Sequence, residues 1–261
     1  MQHIVDLDRY PLDRPKSAAF IRLVDACKAK LAQDGLFNLP VFLRPAAIAL
    51  ALGEVNPVLQ SHAFTHARRH NIYFRKSIEG LDPSHRALRE FETENRTICA
   101  DQLGQAVVVQ LYEWEPFIQF LAAVMGKPKL FVMEDPLARV NVMAYQDGQA
   151  LNWHFDRSEF TTTLLLQAPL AGGEFEYQKD LRSDHDPNYD GVADLLEGQM
   201  TPVRMPLSPG TLNVFKGKNT AHRVTPVVGT RDRIIAVISY FERPGVCFSK
   251  EERIGFYGRA Q

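Results

Sequence analysis

Hydrophobic positions along the chain follow two different periods, and the change falls near residue 130. Before it the spacing is helical. Over 16–33, Phe20, Leu23, Val24, Cys27 and Leu31 fall on one helix face, and Gly35 follows as a stop. Pro45 opens a second helical run to about Leu59. A third helix is predicted from about Ser84 to Glu94. Pro116 begins a fourth, with Phe117, Phe120 and Leu121 on one side and Gly126 at its end. Beyond residue 130, short β-rich runs alternate with turns. The runs are 130–133, 139–145, 160–167, 174–178, 211–215 and 233–241, and the turns are Asp147-Gly148, Gly172-Gly173 and Pro209-Gly210. Strands of that length and spacing predict a sandwich or barrel. The Asp- and Asn-rich stretch 179–200 interrupts the series and is long for a hairpin loop, which makes it a candidate lid. The expectation is one domain over 1–261, mainly β with N-terminal helices. Residues 1–129 form a mostly helical support, 130–245 a jelly-roll core and 246–261 a tail.

Composition narrows the setting. The chain has 261 residues, enough for one substantial core. Its 30 basic and 31 acidic residues balance to a net charge of −1, so no basic excess marks a nucleic-acid or membrane surface. Cys27, Cys99 and Cys247 lie far apart, which argues against a disulfide framework or a Cys-rich zinc site. The N-terminus lacks an apolar leader, and no run approaches a membrane span. These features imply a soluble protein of a reducing, cytoplasmic compartment. Its partner would be a small molecule, with a homodimer as the oligomer left open.

The informative motif is His154-Phe155-Asp156. Residues two apart on extended chain point the same way, so the imidazole and the carboxylate converge. A third ligand would complete the two-His, one-carboxylate facial set of iron(II) oxygenases. The pair alone is weak, since about one His-x-acid pair is expected by chance in such a chain. Asp184-His185-Asp186 is a second acid-flanked histidine and reads as solvated loop. His222 gains weight from its setting, in which PGTLNVF precedes it, HRVTPV contains it, and Arg231 and Arg233 follow. His62, His66, His70 and His85 read as surface residues.

That order of motifs over 139–242 resembles the iron(II)- and 2-oxoglutarate-dependent oxygenases. The resemblance implies a double-stranded β-helix core, with His154, Asp156 and His222 on iron(II). It leaves three open positions on the metal, two for 2-oxoglutarate and one for O2. The far carboxylate of 2-oxoglutarate needs a cation, for which Arg offers a bidentate fork. Arg233 shares a strand face with Ile235, Val237 and Ser239, and Tyr240-Phe241-Glu242 matches the way relatives end this strand; Arg231 is the reserve. Tyr145 stands where several relatives place a hydroxyl donor to 2-oxoglutarate. Asn141, between Val140 and Val142, needs a partner if buried.

DLDRYPL, NRTICADQL, YEWEP, NVMAYQDGQALNWHFD and GGEFEY widen the resemblance to the bacterial subgroup of free-amino-acid radical halogenases and their hydroxylating relatives. In those halogenases Gly replaces the carboxylate ligand and a halide takes its place. Asp156 therefore implies a dioxygenase that hydroxylates an unactivated C–H bond of a small polar metabolite, an amino acid or a derivative. Arg157, Glu115, Arg75, Asn95, Ser239 and Trp153 are the candidate substrate residues, with Trp153 expected to face into packing. Leu151 and Arg157 stand where lysine-type halogenases carry His and Asp, which puts a cationic substrate in doubt. Two alternatives remain. One is the same chemistry on a nucleotide or other phosphorylated metabolite, held by Arg157 and Arg75. The other is a metal-retaining jelly-roll sensor or binding protein.

Overall fold

A computed structural model describes the chain over all residues, 1–261. Its N-terminal part runs α1 (Ala18–Asp34), β1 (Leu36–Leu39), α2 (Pro45–His62), β2 (Phe64–Asn71), β3 (Glu90–Cys99), α3 (Ala100–Leu103), α4 (Val107–Tyr112) and α5 (Glu115–Met125). Strands β4 (Phe131–Val132), β5 (Val140–Tyr145), β6 (Leu151–His154), β7 (Thr161–Gln167), β8 (Ala171–Gly172) and β9 (Phe175–Gln178) follow. Then come α6 (Tyr189–Leu196), β10 (Val203–Met205), β11 (Leu212–Phe215), β12 (Ala221–Val224), β13 (Val227–Val228), β14 (Arg233–Ile238), β15 (Tyr240–Phe241) and α7 (Lys250–Tyr257). No helix is long and apolar enough to cross a membrane.

Two antiparallel sheets form the jelly-roll core. The larger has the order β1-β11-β7-β14-β5-β3-β2, the smaller β10-β9-β12-β6. Alternation along the central strands sorts side chains between two environments. Val140, Val142, Ala144, Leu164, Leu166, Leu212, Val214, Ile234 and Ala236 join one buried cluster with the inner faces of α1, α2, α4 and α5. The intervening residues, among them Met143, Tyr145, Thr161, Thr163, Asn213, Arg233, Ile235 and Val237, face a cavity between the sheets. Each fully buried Leu or Val on the helical side contributes about 1.5–3 kcal/mol. That holds the large sheet flat against its support while the opposite face stays free for chemistry.

The first two helices and the fourth form as expected, and local chemistry explains their limits. Ser17 caps α1 by accepting from the Phe20 N–H, and Gly35 ends it at φ 78°. The third predicted helix does not form. Residues 86–88 make one 3-10 turn, and β3 begins at Glu90. β3 pairs with β5 over Arg96–Cys99 and with β2 along its length. With β1 at the opposite edge, three strands of the predicted helical support thus belong to the core sheet. The ladder outweighs the weak helical preference of REFETEN because tertiary pairing overrides propensity. The stretch 179–200 is not an open loop either. Its helix α6 buries Val192, Ala193, Leu195 and Leu196 against Ile72, Ala87, Trp153 and Phe155. The expected tail carries α7, capped by a Ser249–Glu252 capping box. Asp135, fully buried, anchors it by accepting from the Arg253 guanidinium at 2.8 Å and the Phe248 N–H at 2.9 Å.

Candidate metal centre and its cavity

Strand pairing brings two distant histidines together. In the β6–β12 ladder His154 lies directly opposite His222, with ring centroids 4.1 Å apart. Asp156 sits just past the end of β6, and its oxygens reach both rings. Oδ1 is 3.4 Å from His154 Nε2, and Oδ2 is 3.5 Å from His222 Nε2. The three ligand atoms lie within 4.8 Å of one another, a spacing one metal ion can bridge.

The surroundings prepare these groups. His154 Nδ1 donates to the Asn152 carbonyl at 2.8 Å and His222 Nδ1 to the Thr220 carbonyl at 3.0 Å, which leaves both Nε2 atoms as lone-pair donors. Burial, then the neighbouring His222 ring, hold the His154 pKa below its ordinary value, so the imidazole is neutral and able to ligate. Burial opposes ionisation of Asp156, but the His222 and His154 rings prevail and keep its carboxyl well below the usual range. Thr161 Oγ1 donates to Asp156 Oδ2 at 2.5 Å, and the Asp156 N–H donates to the Gly217 carbonyl at 3.0 Å. A Cβ at Gly217 would stand 2.7 Å from Asp156 Cγ, so the carboxylate needs glycine there. Neither Thr161 nor Gly217 stands out in the sequence, since their partner is set by the fold.

The cavity that opens on this triad measures about 350 Å³. Arg233 lines it from the first position of β14 and is 2% exposed. Its Nε donates to the Gly173 carbonyl at 3.0 Å, while Nη1 is buried without a partner. Gly173, at φ 61°, makes this approach possible, because a Cβ there would come within 3.0 Å of Arg233 Cδ and 2.8 Å of Pro169 Cγ. Burial lowers the Arg233 pKa to about 10, and the Tyr145 ring 5.9 Å away is its nearest aromatic partner. A buried cation with an unused donor fits a carboxylate, since an unpaired charge at such a site is costly. Tyr145 is buried on the same wall; its hydroxyl reaches only Met143 Sδ, at 3.7 Å, and burial pushes its pKa up to about 12.

Several expected residues lie elsewhere. Arg231 is exposed and donates to the Pro169 carbonyl outside the cavity. Asn141 does not reach the cavity. Its Nδ2 donates to the Leu137 carbonyl, and its Oδ1 accepts from the Tyr257 hydroxyl at 2.9 Å, so it fixes a cavity-lining residue of α7. Glu115 heads α5 and accepts from Gln119, away from the metal cavity. Arg75 is exposed and lines no part of the cavity. Ser239 follows the last residue of β14, where the strand breaks; its carbonyl accepts from the Tyr112 hydroxyl. Trp153 packs with Phe155 and α6, with the Arg223 guanidinium 4.8 Å over its ring. Arg157 and Asn95 do line the cavity. Arg157 is paired to Glu252 of α7 at 2.5 Å, and Asn95 accepts from Thr97 Oγ1 at 2.6 Å.

The β2–β3 hairpin supplies a wall that sequence reading missed. His66, Arg68 and His70 face the cavity from β2, and Thr93, Asn95 and Thr97 face it from β3. His70, read as a surface residue, is 5% exposed and bonds Thr93 Oγ1 at 2.8 Å and the Asn71 carbonyl at 2.9 Å. His66 is half-buried and stacks on Phe256, with ring centroids 6.2 Å apart. The available signal was the spacing of His66, Arg68 and His70, two residues apart on one strand face.

Solved structures with this fold include a 2OG-Fe(II) oxygenase and non-heme alpha ketoglutarate dependent enzymes. An oxidoreductase of the 2OG-Fe(II) oxygenase family from Burkholderia pseudomallei aligns with a TM-score of 0.54 at 16% identity, over 85% of this chain and 92% of that one. A Pseudomonas putida prolyl-4-hydroxylase aligns at 0.52 and 17%, over 85% and 100%. The epimerase SnoN of nogalamycin biosynthesis, in complex with Fe3+, alpha ketoglutarate and nogalamycin RO, aligns at 0.58 and 15%, over 85% and 84%. At these identities the likeness is one of fold. No curated protein matches the chain in sequence. The family model described as halogenase D matches residues 22–247, the span that holds the triad, the hairpin wall and Arg233, and the chain therefore belongs to the halogenase D family.

Proposed function

We propose that the protein is an iron(II)- and 2-oxoglutarate-dependent dioxygenase that hydroxylates an unactivated C–H bond of a small polar metabolite of amino-acid type. The observation that carries this reading is one cavity holding both a two-His, one-Asp donor set and a buried arginine with an unused guanidinium nitrogen. His154, Asp156 and His222 would hold the iron and leave the other positions open, as a catalytic rather than a structural site requires. Arg233 would take the far carboxylate of 2-oxoglutarate, with Tyr145 beside it. When bound, iron and 2-oxoglutarate supply activation of O2 and oxidation of a C–H carbon, with release of succinate and carbon dioxide.

The chain's own part is positioning. Backbone carbonyls fix both imidazoles, Thr161 and Gly217 fix the carboxylate, and the walls of the cavity limit water around the reacting carbon. Asp156 supports hydroxylation over halogenation, because its carboxylate fills the position where a halide would need to bind. The nucleotide alternative draws no support. Arg157 spends its charge on Glu252, and Arg75 stands outside the cavity.

Anaerobic titration with iron(II) and 2-oxoglutarate, followed by O2, is the direct test. A metal-dependent complex and succinate formation are expected, with product heavier by one oxygen and no chlorinated product in chloride buffer. Tight zinc binding without a 2-oxoglutarate complex would overturn the oxygenase reading. Chlorinated product with Asp156 intact would overturn the choice of hydroxylation.

A further inference from the structure

The charges around the cavity restrict what it can hold. Asp156 is the only acidic side chain that lines it, and Asp156 belongs to the metal set. Three arginines line it: Arg68, Arg157 and Arg233. Arg233 is assigned above to 2-oxoglutarate, and Arg157 is paired to Glu252. Arg68, exposed at the rim of the cavity, alone has a guanidinium with no ion pair and no hydrogen bond within the protein. Its guanidinium lies over the Phe74 ring at 4.8 Å, and that ring stands edge-on to His154 at 5.9 Å. A free cation therefore sits one ring away from the metal set.

Its neighbours form a platform. Arg68 is opposite Thr93 and His66 opposite Asn95 in the β2–β3 register, and all four face the cavity. His70 and Thr93 are fixed by bonds to each other, and Asn95 by Thr97. The planar face of Phe74 backs the guanidinium, whose unused donors are suited to bidentate contact with a carboxylate. A free ammonium group has no counterpart here. Entering the cavity would strip its water with no carboxylate left to pair it, and an unpaired buried cation is strongly disfavoured. At about 350 Å³, shared with 2-oxoglutarate, the volume suits one small molecule.

We propose that Arg68 anchors the substrate's carboxylate and that the site takes small carboxylic acids without a free ammonium group, N-acylated amino acids being the class. This rests on the oxygenase reading and deepens it. Arg68 selects the charge of the substrate, while the triad and Arg233 define the reaction.

The test compares each common amino acid in three forms: free, N-acetylated and as the carboxamide. Binding is measured by calorimetry on protein loaded with zinc(II) and 2-oxoglutarate, and turnover as succinate formed with iron(II). At least one N-acetyl acid is expected to bind and to couple to succinate, ahead of its free and amide forms. Arg68→Gln should raise its Kd roughly 10- to 100-fold, the loss of a charge-assisted pair, and leave the Kd for 2-oxoglutarate unchanged. Arg68→Lys should recover part of the affinity. Free amino acids binding more tightly than their N-acetyl forms would overturn the proposal, as would an unchanged Kd in Arg68→Gln or no binding by any N-acetyl acid. If the wild type forms no 2-oxoglutarate complex, the oxygenase reading has failed instead, and that result is read before any substrate is added.

Discussion

Gly217→Ala isolates one atom's worth of space at the metal centre. The added Cβ would lie 2.7 Å from Asp156 Cγ and 2.8 Å from Asp156 Cβ. The ligand oxygen Oδ2 would be nearer still, at 2.0 Å, and ordinary carbon–oxygen contact begins at about 3.2 Å, so the carboxylate must retreat by about 1 Å or more. Metal–ligand distances tolerate only about 0.2 Å. The retreat would also stretch the bond from Thr161 Oγ1, now 2.5 Å long. Loss of such supporting contacts costs about 10- to 100-fold in metal affinity, and a displacement near 1 Å costs turnover on a similar scale. Affinity is best read with cobalt(II), whose visible bands report ligand geometry, alongside calorimetry with manganese(II). The expected result is weaker binding and an altered cobalt spectrum, with thermal stability of the metal-free protein changed by less than about 1 kcal/mol. A variant with wild-type cobalt affinity and spectrum would refute the claim that Gly217 makes room for the ligand.

Three further outcomes are expected. Arg233→Leu should weaken 2-oxoglutarate binding by about 2–5 kcal/mol in calorimetry, while Arg231→Leu should leave it within error; the reverse pattern would reassign the cofactor cation. Asp135 is buried, but the N–H groups of Ala138, Leu137 and Phe248 and the Arg253 guanidinium bring its pKa below 3.8. Its contribution is therefore fully present above pH 3.8 and lost as pH falls through the lower folded value, so wild-type Tm should drop in that acid range. Asp135→Asn should cost about 3 kcal/mol at neutral pH and flatten that drop. Gly53→Ala, inside α2 with open space at its Cβ, should raise stability by about 0.5–1 kcal/mol in urea unfolding and leave metal binding alone.

Much of the core was readable because its inner and outer residues differ in polarity. β5, β7, β11 and β14 place apolar side chains on the helices at every second position, and that period marks them as strands. The strand boundary, not the alternation, separates the two arginines: Arg233 begins β14 on the cavity face of Ile235 and Val237, while Arg231 precedes the strand. Asn141 was correctly read as needing a partner, but besides the nearby Leu137 carbonyl that partner is Tyr257, 116 positions away. No local pattern reports such a distance.

The hairpin failed to register for a reason tied to its role. A strand that faces an apolar core alternates apolar and polar residues. β2 and β3 line the cavity with His66, Arg68, His70, Thr93, Asn95 and Thr97 and turn Arg69, Glu90, Glu92 and Glu94 the other way, so both of their faces are polar and the period of two disappears from the hydropathy. What remains in REFETEN is an abundance of Glu and Arg, which reads as helix. The oxygenase motifs lie on β5 to β14, whereas β2 and β3 precede them in the chain. On the functions proposed above, the reaction type and the substrate are carried by different segments. A motif reading of the first leaves the second open, and the wall proposed to meet the substrate is also the wall whose sequence resembles neither a core strand nor an amphipathic helix.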